Sequence, residues 1–211
     1  MKITKHEHAF IDIELDGRRL LVDPGVFTPS IETANVDGVV VTHDHDDHVS
    51  AAHLEALLAA NPELVVFGDA AVAAKLAPLP VQLVEPGQTR TVGGFTLDFL
   101  GTGAHAEIHS SIPRSTNLTV LVNDAVYHPG DSLDLPGRPV QLAAVPLSGP
   151  WHKLAEAVDF VRGTDAAVNF GIHEALLSEA GVGFYSKLLS ATAQAAGHTF
   201  TALPVGESLE V

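Results

Sequence analysis

The 211-residue chain has 46% hydrophobic and 18% charged residues and no cysteine, a composition that fits one soluble globular domain spanning residues 1–211. Eleven Lys and Arg against 26 Asp and Glu give a formal charge of −15, which argues against a nucleic-acid binder; the missing cysteines exclude disulfides, Fe–S clusters, thiolate-ligated zinc and a cysteine nucleophile. The N-terminal residues show no apolar signal core, and no run nears the roughly 18 apolar residues of a membrane span, so the cytoplasm is the default location.

Short apolar runs alternate with helical patterns, the rhythm of an α/β protein. In chain order, residues 10–14, 19–22 and 38–42 read as strands. Ser50 then caps a helix with Leu54, Leu57 and Leu58 on one stripe, stopped by Asn61-Pro62. A strand at 64–67, a short helix from Asp69 and strands at 81–84 and 95–100 follow; the last puts Phe95, Leu97 and Phe99 on one face and Thr96 and Asp98 on the other. Further strands are expected at 118–122, 125–127, 142–145 and 167–172. One helix gathers Leu154, Ala157, Val158 and Val161 and ends at Gly163; a last one runs from Tyr185 to Ala196 before Gly197.

The chain holds 12 histidines, and where they sit decides what they mean. His53, His152 and His198 are scattered, whereas His43, His45 and His48 fall within His43-Asp44-His45-Asp46-Asp47-His48, after the apolar run Val39-Val40-Val41 and before the Ser50 helix. A solvated polar loop is the plain alternative. In a tight strand-to-helix turn, however, His43 and His45 can converge on one cation while Asp47 and His48 turn toward a second. Imidazole and carboxylate suit Zn²⁺, with Mn²⁺ or Fe²⁺ as alternatives. A competing pattern, Gly101-Thr102-Gly103-Ala104-His105-Ala106 with Asp124 further on, resembles a dinucleotide fingerprint, but the helix it needs is replaced by a β-branched stretch broken at Pro113. No Gly-x-Ser-x-Gly elbow supports a serine hydrolase.

The His-x-His-x-Asp-His segment resembles the signature of the metallo-β-lactamase superfamily, and its surroundings resemble the branch that includes the ascorbate-phosphate lactonase-like hydrolases. The run from Arg19 to Gly25 is similar to an early strand ending in a supporting Asp, here Asp23. The stretch Gly101 to Pro113 resembles the segment supplying a third His, Tyr127 to Ser132 the bridging-Asp segment, and Gly171-Ile172-His173 the strand ending in the last His. The resemblance implies an αββα four-layer sandwich. It implies that His43, His45 and one of His105 or His109 hold a first metal, Asp47, His48 and His173 a second, and that Asp131 bridges them. His105 is favoured because it comes sooner after the strand ending at Leu100, where ligands of this superfamily sit.

In that reading two metals share a hydroxide aimed at a carbonyl carbon or phosphorus, Asp47 and Asp131 orient it, and His109 protonates the leaving group or serves as an oxyanion partner, with a plain polar loop residue as the alternative. His8-Ala9-Phe10 resembles a segment that places a His near the pocket, though a lone exposed His is the commoner outcome. His128 reads as structural beside Asp131, and Trp151 as either a substrate-stacking or a core-anchoring side chain. Two aspartates, two divalent ions and a hydroxide leave a centre of about +1, favouring a small anionic substrate in a protein whose exterior repels long nucleic acids. The alternatives are a metal-binding or sensing protein without turnover, and a nucleic-acid phosphodiesterase of the same fold. A homo-oligomer is left open.

Overall fold

The computed structural model describes residues 1–211. The first half of the chain lays down β1 (Lys2–Lys5), β2 (Ile11–Leu15), β3 (Arg18–Val22), β4 (Val36–Val40), α1 (Ala51–Ala60), β5 (Val65–Gly68), α2 (Ala70–Leu76) and β6 (Gln82–Leu83). The second half adds β7 (Thr89–Val92), β8 (Phe95–Leu100), β9 (Thr119–Val122), β10 (Val126–His128), β11 (Val140–Pro146), α3 (Leu154–Gly163), β12 (Ala166–Ile172), α4 (Glu179–Ala195) and β13 (Thr199–Thr201); β14 (Ser208–Glu210) then returns to the first sheet beside β1. Each sheet has seven strands, in the orders β14-β1-β2-β3-β4-β5-β6 and β13-β12-β11-β10-β9-β8-β7. Both are mixed: β3 to β6 and β10 to β13 pair in parallel, and the remaining neighbours antiparallel.

Strand alternation explains the layering. Ile11, Ile13, Leu20, Val22 and Val40 face the other sheet, where they pack on Phe95, Leu97, Phe99, Val120, Val122 and Phe170. Their neighbours Leu21, Val39 and Val41 point the opposite way, onto Leu54 and Leu57 of α1 and Val72 and Leu76 of α2. On the far side Leu121, Tyr127 and Val145 bury Phe160 and Val161 of α3 and Leu189 and Ala193 of α4. With both faces of the central strands covered, the result is the expected αββα sandwich. Each large side chain sealed between the sheets contributes roughly 1.5–3 kcal/mol.

The structure corrects several boundaries. Strands β1, β7, β13 and β14 lie outside the expected set, and β4 ends at Val40 because Thr42 gives its backbone N–H and hydroxyl to Asp23 instead of to a ladder. Helix α4 starts at Glu179, well before Tyr185: the Ser178 hydroxyl caps it on Gly181 N, and burial of Ser186, Leu189 and Ala193 carries Gly181 and Gly183 into the helix. No helix is long and apolar enough to cross a membrane. The segments after β3, β4, β8, β10 and β12 carry Asp23, the His43–His48 loop, His105, Asp131 and His173, and so bring distant parts of the sequence to one edge.

Candidate metal centre

The loop between β4 and α1 is folded by its own backbone. The N–H groups of His48 and Val49 both donate to His45 O, at 3.0 and 3.1 Å, and the Ser50 hydroxyl caps α1 on His53 N. The segment after β3 braces this loop: Val26 N–H donates to Asp46 O at 2.9 Å, and a Cβ on Gly25 would fall 1.9 Å from Asp47 O, so only glycine fits. Behind it Asp23, fully buried, accepts the Thr42 N–H, the Thr42 hydroxyl and His48 Nδ1–H, each at 2.7 Å. That last bond leaves the Nε2 lone pair of His48 facing forward.

The second sheet supplies the opposing donors by the same device. His105 Nδ1–H donates to Ala106 O at 2.6 Å and His173 Nδ1–H to Ser148 O at 2.7 Å, so that Nε2 of each ring faces the centre. Asp131 sits between. Its Oδ1 lies 3.0 Å from His48 Nε2 and 2.9 Å from His173 Nε2; its Oδ2 lies 3.2 Å from His105 Nε2 and 3.9 Å from His43 Nε2. Gly130, at φ +58°, lets this turn approach: a Cβ there would lie 2.3 Å from Asn117 Oδ1, the acceptor for Asp131 N–H.

Two groups of potential ligand atoms result, each within 4.8 Å: His43, His45, His105 and Asp131 in one, and His8, Asp47, His48 and His173 in the other. Their chemistry fits a metal pair. Ring nitrogens whose partners are spent on donated bonds meet carboxylate oxygens, and Asp131 Oδ1 is buried without a hydrogen-bond donor. Acceptors facing one another at such distances call for a cation between them. Without metal a proton serves: despite burial, Asp131 and Asp23 push the His48 pKa well above its ordinary value. Burial and the neighbouring His48 push His43 well below its ordinary value, leaving the neutral imidazole a metal takes. Burial would raise the Asp131 carboxyl, yet His48 and His173 hold it well below the usual range.

Two side chains, His8 and Trp151, differ from the sequence expectation or resolve it. His8 is fully buried, not a lone exposed His; at φ +62° it places Nε2 3.1 Å from Asp47 Oδ2. His173 shares that left-handed conformation, and its N–H donates to His8 O at 2.9 Å, joining the two sheets across the site beside the Lys5–Glu174 ion pair at 2.5 Å. Left-handed backbone at two non-glycine residues is strain of the kind found at functional sites. Trp151, 6% exposed, neither stacks outward nor simply fills core: its indole N–H donates to Asp131 Oδ2 at 2.9 Å. No local sequence pattern announces that bond.

Of the middle pair, His105 enters the centre. His109 is exposed on the same loop and bonds Ser111 Oγ at 2.8 Å, outside both groups. His128 is buried beside Asp131 with both nitrogens engaged, Nε2–H to Ala9 O at 2.8 Å and Nδ1 from Gly130 N–H at 3.1 Å, a structural arrangement.

Comparison with known proteins agrees with this fold. A model of the beta-lactamase superfamily domain matches residues 2–171. The Mycobacterium tuberculosis protein Rv0786c is 35% identical over 191 residues, 88% of this chain and 89% of its own. A metal-dependent hydrolase of Nitratidesulfovibrio vulgaris is 31% identical over 168 residues, 70% of this chain and 69% of its own. Among solved structures, the metallo hydrolase Igni18 of Ignicoccus hospitalis shares the fold, with a TM-score of 0.73 over 99% of this chain and 97% of its own at 18% identity. The chain belongs to the metallo-β-lactamase superfamily of metal-dependent hydrolases.

Proposed function

We propose that this chain hydrolyses a small ester, lactone or phosphoester with two divalent metal ions. In this reading His43, His45 and His105 hold one, Asp47, His48 and His173 the other, and Asp131 lies between. The observation that carries it is the placement of the two oxygens of one buried carboxylate, Asp131, each toward a different donor group. Zn²⁺ suits the imidazole and carboxylate donors best, with Mn²⁺ or Fe²⁺ as alternatives. When bound, such a pair supplies Lewis acidity and lowers the pKa of water toward neutrality.

The remaining work belongs to the chain. Asp23, Ser148 O and Ala106 O fix the ring orientations of His48, His173 and His105. His8 holds one oxygen of Asp47, whose carboxyl stays well below the usual range: burial would raise it, but the His8 bond and the nearby His48 prevail. His109, on the loop that carries His105, is assigned the leaving-group proton.

Asp23 also revises the charge balance. Counting it with Asp47 and Asp131 brings the centre with two divalent ions and a hydroxide from about +1 to about neutral, which weakens the pull on anions and moves esters and lactones ahead of phosphoesters. The resemblance to the lactonase-like branch points the same way.

The test is a screen of the metal-loaded protein against generic esters, lactones, thioesters and phosphodiesters, with Asp131→Asn as control. Turnover that falls at least about 100-fold in the variant supports the proposal. Tight metal binding without turnover on any member makes the chain a metal-binding or sensing protein instead.

A further inference from the structure

We infer that the two donor groups fill in order, the Asp47–His48–His173 group first, and that the Trp151 indole widens the gap by occupying the Asp131 oxygen that faces the other group. This rests on the two-ion reading above.

Trp151 lies across both groups, its ring centroid 5.9 Å from that of His105 and 6.0 Å from that of His173. Its Nε1–H donates to Asp131 Oδ2, the oxygen facing His105 and His43. Gly149 makes this approach possible: a Cβ there would lie 2.8 Å from Trp151 Nε1. A carboxylate oxygen that accepts a charge-assisted N–H bond has committed electron density and a lone-pair direction to it, and is the poorer ligand for that. Oδ1, turned to His48 and His173, is left free of the indole and faces only ring nitrogens that a metal would take.

The other charges favour the same order. The His48 group has a carboxylate of its own in Asp47, and His48 is backed directly by Asp23. A carboxylate behind a histidine raises the basicity of the ring nitrogen that binds metal. In the His43 group, His105 is backed by a neutral carbonyl, and His43 reaches Asp23 only through the Thr42 hydroxyl. His45 is only partly buried.

Because Trp151 is the only tryptophan, the protein's own fluorescence reports on it. The full chain, freed of metal, is titrated with Zn²⁺ while emission is followed and affinities are read by competition with a chromophoric chelator. Two steps at least about tenfold apart in Kd are expected, with emission changing mainly in the second, as Oδ2 is drawn toward its own group. His105→Ala should remove the weaker step, and Asp23→Asn should weaken the tighter one more than the weaker, since Asp23 backs His48 directly and His43 only through Thr42.

Trp151→Phe keeps an aromatic ring and deletes the N–H; it should tighten the second step about three- to tenfold and leave the first unchanged. Equal steps, emission changing in the first step, or loss of the tighter step in His105→Ala would each overturn the order. An unchanged ratio in a folded Trp151→Phe would overturn the role of the indole, and the wild-type emission titration stands whether or not that variant folds. Failure to bind any ion would instead remove the two-ion reading itself.

Discussion

The loops at 42–50 and 101–116 both deliver histidines to the centre, and they are built in opposite ways. The first is clamped from both sheets: Thr42 N–H goes to Asp23, Leu118 N–H to Thr42 O and Val26 N–H to Asp46 O, and His43 and His48 are fully buried. The second is tied at its base, by His105 N–H to Ser115 O and Ala106 N–H to Asp131 O, while its tip from Glu107 to Arg114 is exposed. Rigid clamping belongs where interatomic distances must be kept; an exposed tip belongs where a molecule arrives from solvent.

Substitutions should separate the two loops sharply. Gly25→Ala drives a methyl into the backbone of the clamped loop at Asp47 and should cost about 3 kcal/mol or more, seen as loss of folding or a large drop in Tm. Next in size, chelation of the metal-loaded protein should lower stability by about 3 kcal/mol when free metal had stood near 100 times Kd, because the folded state alone assembles the donor groups and loses the binding free energy of the ion; calorimetry with and without chelator measures it. Asp23→Asn should leave the fold intact and reduce kcat/KM about 10- to 100-fold as His48 loses its orienting carboxylate. At the tip, replacing exposed Ile108 and Ile112 by Ser should change stability by less than about 0.5 kcal/mol while shifting KM. A large stability loss from the tip pair, or none from Gly25→Ala, would erase the contrast.

What could be read from the sequence followed the range of the forces involved. His43, His45, Asp47 and His48 sit on one turn, so their spacing announces their convergence, and the apolar alternation of Phe95, Leu97 and Phe99 announces the face they bury. The four missed strands are short and carry polar or charged residues: Lys2–Lys5, Thr89–Val92, Thr199–Thr201 and Ser208–Glu210 are held by pairing to neighbours far away in sequence, or across a turn, and not by their own pattern. His105, Asp131 and His173 needed family resemblance to be found, since each lies in a different segment beyond its strand, far in sequence from the others. The burial of His8 and the Trp151–Asp131 bond depend on how the sheets sit against each other, which no local spacing encodes.

The backbone link from His173 to His8, with Lys5 and Glu174 paired beside it, makes the active edge a seam sewn from both halves of the chain. Circularly permuted versions opened at the exposed turns of Gly87 or Gly137 would keep every stitch, whereas new ends placed just after Glu174 would unpick it. Redesign of this scaffold therefore has freedom along its outer turns and very little along that seam.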